Sequence, residues 1–344
     1  MEEKSDFQIL SLSGGGMRGL YTASVLADLE QSLADEHDQP DYWIGQHFDL
    51  ICGTSIGGIL ALGLAAGINA RSLRDTLDKN RLKIFPLTKK GMFSRIGKTC
   101  RQATSGLYSA APLKTVIEGV LGDAIIGDMK TRILIPAVNY TTGAVQVFKT
   151  PHHVTFKRDW KLKAVDVALA TSAAPTYFPI HQINDCWYVD GGLAANSPAL
   201  MAIHEAQYFL GKKSDQVRLM LVGTMGLQKT ADQSSNRQKG YLGWGAGKDL
   251  IDLTLSANEG LHNQISSHLL PEDRLLVIDD SQTADQSKNL ALDNASDEAA
   301  STLKGRGSHR AQNTINNNVF LDITSNIAEP PTFYYGPNQN SQQD

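Results

Sequence analysis

Cysteine is scarce in this chain, its charge is nearly balanced, and no apolar run is long. The three cysteines among 344 residues, Cys52, Cys100 and Cys186, give neither a disulfide framework nor paired zinc-ligand spacing, and they suit a reducing compartment. A formal net charge of -4 lacks the basic excess of a dedicated nucleic-acid binder, so no nucleic-acid polymer is expected as a partner. The longest apolar stretch, Ile56–Ile68, is interrupted by glycine and falls short of the roughly 20 residues a membrane-crossing helix needs. The acidic opening MEEKSDFQ has none of the features of a secretory signal. These readings predict a cytoplasmic protein that reaches any membrane substrate from solution. No group of His, Cys or Asp has ligand spacing, so no metal is expected, and no fixed-period repeat marks a solenoid.

What is present is ample material for a core, 41% hydrophobic residues, laid out as strand, turn and helix. Phe7–Ser13 reads as a strand running into Gly14–Gly15–Gly16 and then a helical pattern over about Arg18 to Ala34. Phe48–Cys52 repeats the plan, with a tight turn and a small-residue helix from about Ile56 to Ala66. Two such units with no hairpin signal between them predict an α/β fold with a mainly parallel central sheet flanked by helices. A hairpin is expected over Arg132–Tyr140 and Ala144–Lys149, turned at Thr142–Gly143, since glycine suits the turn. Helices are expected over Lys163–Ser172, Ser197–Leu210 and about Lys248–Leu270, and strands over Trp187–Val189, Val217–Gly223 and Arg274–Asp279. Residues 1–310 read as one catalytic domain with C-terminal elaboration. Residues 311–344, rich in Asn, Gln and Pro, read as a polar, loosely ordered tail.

Three motifs carry chemistry. Gly53–Thr54–Ser55–Ile56–Gly57 is a G-x-S-x-G between an apolar strand and a helix, the context in which a sharp turn projects a serine hydroxyl clear of the sheet. A bare glycine-serine turn is the plainer alternative. Gly14–Gly15–Gly16–Met17–Arg18–Gly19 exposes successive backbone N–H groups, a concavity suited to an oxyanion. Gly14, Gly16 and Gly19 also satisfy the dinucleotide fingerprint G-x-G-x-x-G. That fingerprint wants an acid closing a strand about 20 residues on, and the window Asp35–Asp41 is a polar loop. Asp190–Gly191–Gly192 follows a short apolar run; alone it is ordinary turn chemistry.

Together the three motifs resemble the patatin-like phospholipases, whose members combine a GGGxRG loop, a GxSxG elbow and a DG[GA] acid motif. The resemblance spans roughly Phe7 to Leu210 and matches each motif without substitution. It implies a three-layer fold and a Ser–Asp dyad, with Ser55 as nucleophile and Asp190 as base. Gly14, Gly15, Gly16 and Arg18 would form or brace the oxyanion hole, Gly53 and Gly57 the elbow, and Gly191 and Gly192 the acid turn. The implied reaction is hydrolysis of acyl esters in membrane phospholipids at a transiently visited surface, with no cofactor required; a homodimer is compatible with it. A Ser-His-Asp triad is the rival, with His152, His153, His181, His204, His262 and His268 all following the elbow. A nucleotide-cofactor enzyme and a non-catalytic scaffold are the others.

The stretch Ile135–His153 resembles the bacterial branch of the family. Some members of that branch are antiphage effectors switched on by cyclic dinucleotides. That implies a cyclic dinucleotide activator, for which the basic stretches Lys89–Arg101 and Lys304–Arg310 are candidate phosphate partners. Lys89–Arg101 also suits anionic headgroups or plain solvent exposure. Gly106–Leu113 is a candidate lid over the site.

Overall fold

The computed structural model describes residues 6–87, 106–226, 248–282 and 289–340; Lys89–Arg101 therefore lies outside the described residues. Eight strands of these residues form one sheet. They are β1 (Phe7–Leu12), β2 (Leu50–Gly53), β3 (Arg132–Asn139), β4 (Ala144–Lys149), β5 (His181–Ile183), β6 (Cys186–Asp190), β7 (Val217–Val222) and β8 (Leu275–Ile278). The order is β5-β6-β3-β2-β1-β7-β8, with β4 also paired to β3. β8, β7, β1, β2 and β3 run parallel, while β4, β5 and β6 make antiparallel pairs.

β1 shows why the chain folds this way. All six of its residues are buried, as expected of a strand covered on both faces. Leu10 and Leu12 join one core with Leu20 and Leu60. These come from α1 (Gly19–Glu36) and α2 (Ile56–Ala65). Phe7 and Ile9 point the other way, into a second core with Ala199, Ala202 and Ile203. The two-residue period of the strand thus splits the interior into two cores, one on each side of the sheet.

The remaining helices are α3 (Ala70–Ile84), α4 (Ala111–Leu121), α5 (Ala164–Thr171), α6 (Gly192–Ala195), α7 (Ala199–His204), α8 (Lys248–Leu269), α9 (Asp297–Thr314) and α10 (Asn318–Thr324). α9 crosses α1 closely at Gly307, where a Cβ would stand 2.8 Å from Ser24 Cβ and 2.9 Å from the Tyr21 carbonyl oxygen.

One feature of the sheet positions the site. β2 pairs with residues 132–134 of β3, and β6 pairs with residues 137–139. β4 takes the opposite edge of β3 over residues 134–139, so β2 and β6 share a single edge. One is parallel to β3 and the other antiparallel, so they point at each other and their C-terminal ends meet.

Three expectations need correction. The strand expected at Trp187–Val189 runs from Cys186 to Asp190 and pairs with β5, a strand the sequence did not announce. The helix expected over Ser197–Leu210 is α7 followed by a π turn, Glu205–Phe209. There the buried Glu205 carboxylate binds Lys149 Nζ at 2.5 Å and His152 Nε2 at 3.0 Å. The segment expected as a loose tail packs as far as residue 340. α10 buries Phe320 and Ile323, Phe333 is buried, and the Tyr334 N–H donates to the Pro151 carbonyl at 2.8 Å. A few well-spaced apolar side chains anchor a segment whose average composition is polar.

Candidate active site

Ser55 stands where β2 turns into α2. Its backbone, at φ 56° and ψ -125°, occupies a region open to glycine and strained for other residues by about 1–3 kcal/mol. The turn needs α2 to lie close against β1. Gly57 permits this, since a Cβ there would stand 2.4 Å from the Leu12 carbonyl oxygen and 2.6 Å from that of Ser13. Two threonines hold the turn. Thr171, at the end of α5, accepts the Ser55 N–H at 3.0 Å and donates to the Pro136 carbonyl of β3 at 2.6 Å. Thr54 donates to the Ala195 carbonyl at 2.7 Å.

Asp190 closes β6, so the converging strands bring it to the serine. Ser55 Oγ donates to Asp190 Oδ2 at 2.7 Å, and Asp190 Oδ1 accepts the Gly192 N–H at 2.7 Å. Burial raises the Asp190 carboxyl from its ordinary value to about 6, against the lowering effect of those two hydrogen bonds. A Cβ on Gly191 would stand 2.1 Å from the Pro136 carbonyl oxygen, so the residue after the acid has no room for a side chain.

The glycine loop divides its labour. The Gly14 N–H donates to the Asn196 carbonyl at 2.9 Å. The Gly14 carbonyl accepts from Asn196 Nδ2 at 3.2 Å and from Thr224 Oγ1 at 3.1 Å. That carbonyl shares a rigid peptide plane with the Gly15 N–H, so the two donors fix the direction of the N–H. The N–H groups of Gly15 and Gly16 donate to no described residue, and both glycines line the pocket that holds Ser55 and Asp190. Gly16 has φ 56°. Arg18 donates its backbone N–H to the Gly15 carbonyl at 3.1 Å. Its side chain lines a neighbouring polar cavity instead of the Ser55 pocket.

The Ser55 pocket is otherwise apolar, walled by residues such as Ile59, Leu77, Ile84, Phe85, Leu113 and Phe178. Phe85, Tyr108 and Phe178 cluster with ring centroids 5.4 to 6.1 Å apart. The segment expected as a lid is tied to this wall: Leu107 and Tyr108 donate their N–H groups to the carbonyls of Thr176 and Tyr177 at 2.9 and 2.7 Å.

No histidine is among the residues lining that pocket. His152 is buried against Thr150 and Glu205, His153 meets Thr155, His181 meets Asp166, and His262 faces the Ser197 carbonyl. The cations of Lys304–Arg310 are engaged structurally: Lys304 pairs with Asp78 at 2.5 Å and Arg306 with Asp280 at 3.1 Å, while Arg310 reaches the Val277 carbonyl. Against the dinucleotide alternative, the strand after α1 delivers Ser55 at its end and no ribose-binding acid. Thr171, Asn196 and Thr224 had no signal in the sequence, because each acts on a residue more than a hundred positions away.

A family model described as patatin-like phospholipase matches residues 10–203. The chain is 43% identical over 336 residues to a cGAMP-activated phospholipase of Pseudomonas aeruginosa, covering 97% of this chain and 96% of that one. It is 40% identical to proteins of the same description from Vibrio cholerae and Escherichia coli, covering 92% and 90% of this chain and 94% and 90% of theirs.

Proposed function

The chain belongs to the patatin-like phospholipase family, and from that membership we propose that Ser55 and Asp190 are the dyad of its lipid ester hydrolysis. It is a phospholipase, a carboxylic ester hydrolase. The observation that carries the dyad is the 2.7 Å hydrogen bond from Ser55 Oγ to Asp190 Oδ2 at the end of an apolar pocket.

In this reading the acyl chain lies in the pocket walled by Ile59, Leu77, Phe85 and Phe178. Asp190 takes the hydroxyl proton as Ser55 Oγ attacks the ester carbonyl. The N–H groups of Gly15 and Gly16 receive the oxyanion, and Gly14, with its N–H engaged, holds the loop. Asp190 then protonates the leaving alkoxide and activates the water that releases the fatty acid from Ser55. An exposed carboxylate is a weak base toward a hydroxyl; burial makes this one stronger. The Gly192 N–H on Oδ1 leaves Oδ2 for the proton.

No described helix is long and apolar enough to cross a membrane, which suits a protein that meets bilayer lipid as a peripheral visitor. The relatives' description as cGAMP-activated supports a cyclic dinucleotide activator here too, turning membrane degradation on in antiphage defence.

The test is acyl release from phospholipid vesicles and p-nitrophenyl esters by wild type, Ser55→Ala and Asp190→Asn, with and without a panel of cyclic dinucleotides. Both variants are expected to lose activity by at least about a thousandfold. Wild-type rates in either variant would reject the dyad, and an unchanged wild-type rate across the panel would reject the activator.

A further inference from the structure

Beside the Ser55 pocket lies a second cavity, of about 370 Å3, which the mechanism above does not use. The two share Asn196, Leu255 and Leu292 as lining, so they adjoin along that rim. Their chemistry differs sharply. The first is apolar, whereas the second is lined by Arg18, Ser256, Glu259, Asn263, Asp279 and Asp280.

Arg18 is the anomaly. Its Nε is buried without a hydrogen-bond partner. The charges of Glu259, Asp252 and Asp279 act on it through the field. A guanidinium carries five N–H donors in a planar fork matched to the oxygens of a phosphate or carboxylate. Leaving the buried Nε–H of such a group unbonded is costly. Asn263 Oδ1 is likewise buried without a partner. A cavity holding unbonded donor and acceptor groups is built for a polar occupant.

The acids say what kind. With Asp280 paired to Arg306, Asp252, Glu259 and Asp279 still outnumber Arg18 in the lining and make it net negative, which disfavours an occupant that is only anionic. Burial and the nearby Glu259 raise the Asp279 carboxyl to about 7, a cost that a cation in the cavity would relieve. No three acidic, histidine or cysteine side chains among the described residues are grouped to hold a metal ion, so a compact divalent cation does not fit. What remains is a ligand with an anionic oxygen for Arg18 and an organic cation for the acids.

We propose that this cavity is a headgroup subsite selecting zwitterionic phospholipids, with Arg18 facing the phosphodiester and Asp279 and Glu259 facing the ammonium group. The inference rests on the phospholipase reading. It gives the cleaved lipid two destinations: the acyl chain in the apolar pocket, and the glycerophospho-ammonium portion over the rim formed by Asn196, Leu255 and Leu292.

The test measures hydrolysis of phosphatidylethanolamine and phosphatidylglycerol of identical chains, each diluted in the same neutral-detergent micelles, with saturating cGAMP. Every rate is divided by the same variant's rate on p-nitrophenyl butyrate, so a general loss of folded enzyme cancels. Wild type is expected to favour phosphatidylethanolamine. Asp279→Asn should reduce that preference by at least about fivefold, and Arg18→Gln should weaken both phospholipids relative to the small ester by about tenfold, the scale of a charged hydrogen bond. An indifferent wild type, or a preference untouched in Asp279→Asn, overturns the subsite. So does a shift, in a separate cGAMP titration of the same variants, of the concentration for half-activation with headgroup preference intact, which would assign the cavity to the activator. Failure of the phospholipase reading looks different: Ser55→Ala would then hydrolyse every substrate as wild type does.

Discussion

Ser55 and Asp190 are each held in a state they would not choose alone. The serine occupies a backbone region that favours glycine, so Ser55→Gly should be inactive yet more stable by about 1 kcal/mol, as read by denaturant titration. The aspartate is raised from 3.8 to about 6 by burial. Its unfolded-state value lies lower, so the wild-type fold loses stability as pH rises from about 4 to 6, where the buried carboxyl must ionise. Asp190→Asn should therefore be the more stable protein at pH 7, by on the order of 2–3 kcal/mol, with the gap closing below pH 4. The base works when deprotonated, so kcat/KM for the wild type should fall about tenfold per pH unit below pH 6. A flat profile from pH 7 to 4.5 would contradict Asp190 as the base. These two residues were legible because each motif encodes a local turn. Asn196, which clamps the Gly14 carbonyl, was not, since its partners are 182 and 63 positions distant and no local pattern records such contacts.

At the scale of elements, the sequence named the parallel strands, the hairpin and the helices that follow the first two strands because their periods are local. It missed β5, whose three residues, paired with the five-residue β6, leave too little pattern to register. It also missed the reversal of β6, since strand direction is a property of the partner. One close junction is the crossing of α2 over β1. Gly57→Ala places a methyl group against two backbone oxygens that have no rotamer in which to retreat. This substitution is expected to cost at least about 2 kcal/mol and to lower kcat by at least about a hundredfold with KM less affected. A thermal melt and steady-state kinetics on p-nitrophenyl butyrate together check it.

The whole molecule depends on its last elements more than composition suggests. Gln8 of β1 donates to the Ile323 carbonyl of α10 at 3.1 Å, and Phe320 and Phe333 are almost fully buried. Phe320→Ala should cost about 3–5 kcal/mol in chemical denaturation, whereas a loose tail would show no change. Average composition hid this because three or four anchors suffice to dock a polar segment.

The meeting of β2 and β6 end to end along β3 has a consequence for control. Both side chains of the proposed dyad are mounted on one shared ruler, in hydrogen-bond contact across the gap between the two strand ends. Control exerted on the helices that wall the pocket would leave the spacing of the dyad unchanged and act on admission of lipid. A small fluorophosphonate should therefore label Ser55 at nearly equal rates with and without cyclic dinucleotide, while hydrolysis of vesicle lipid waits for the nucleotide.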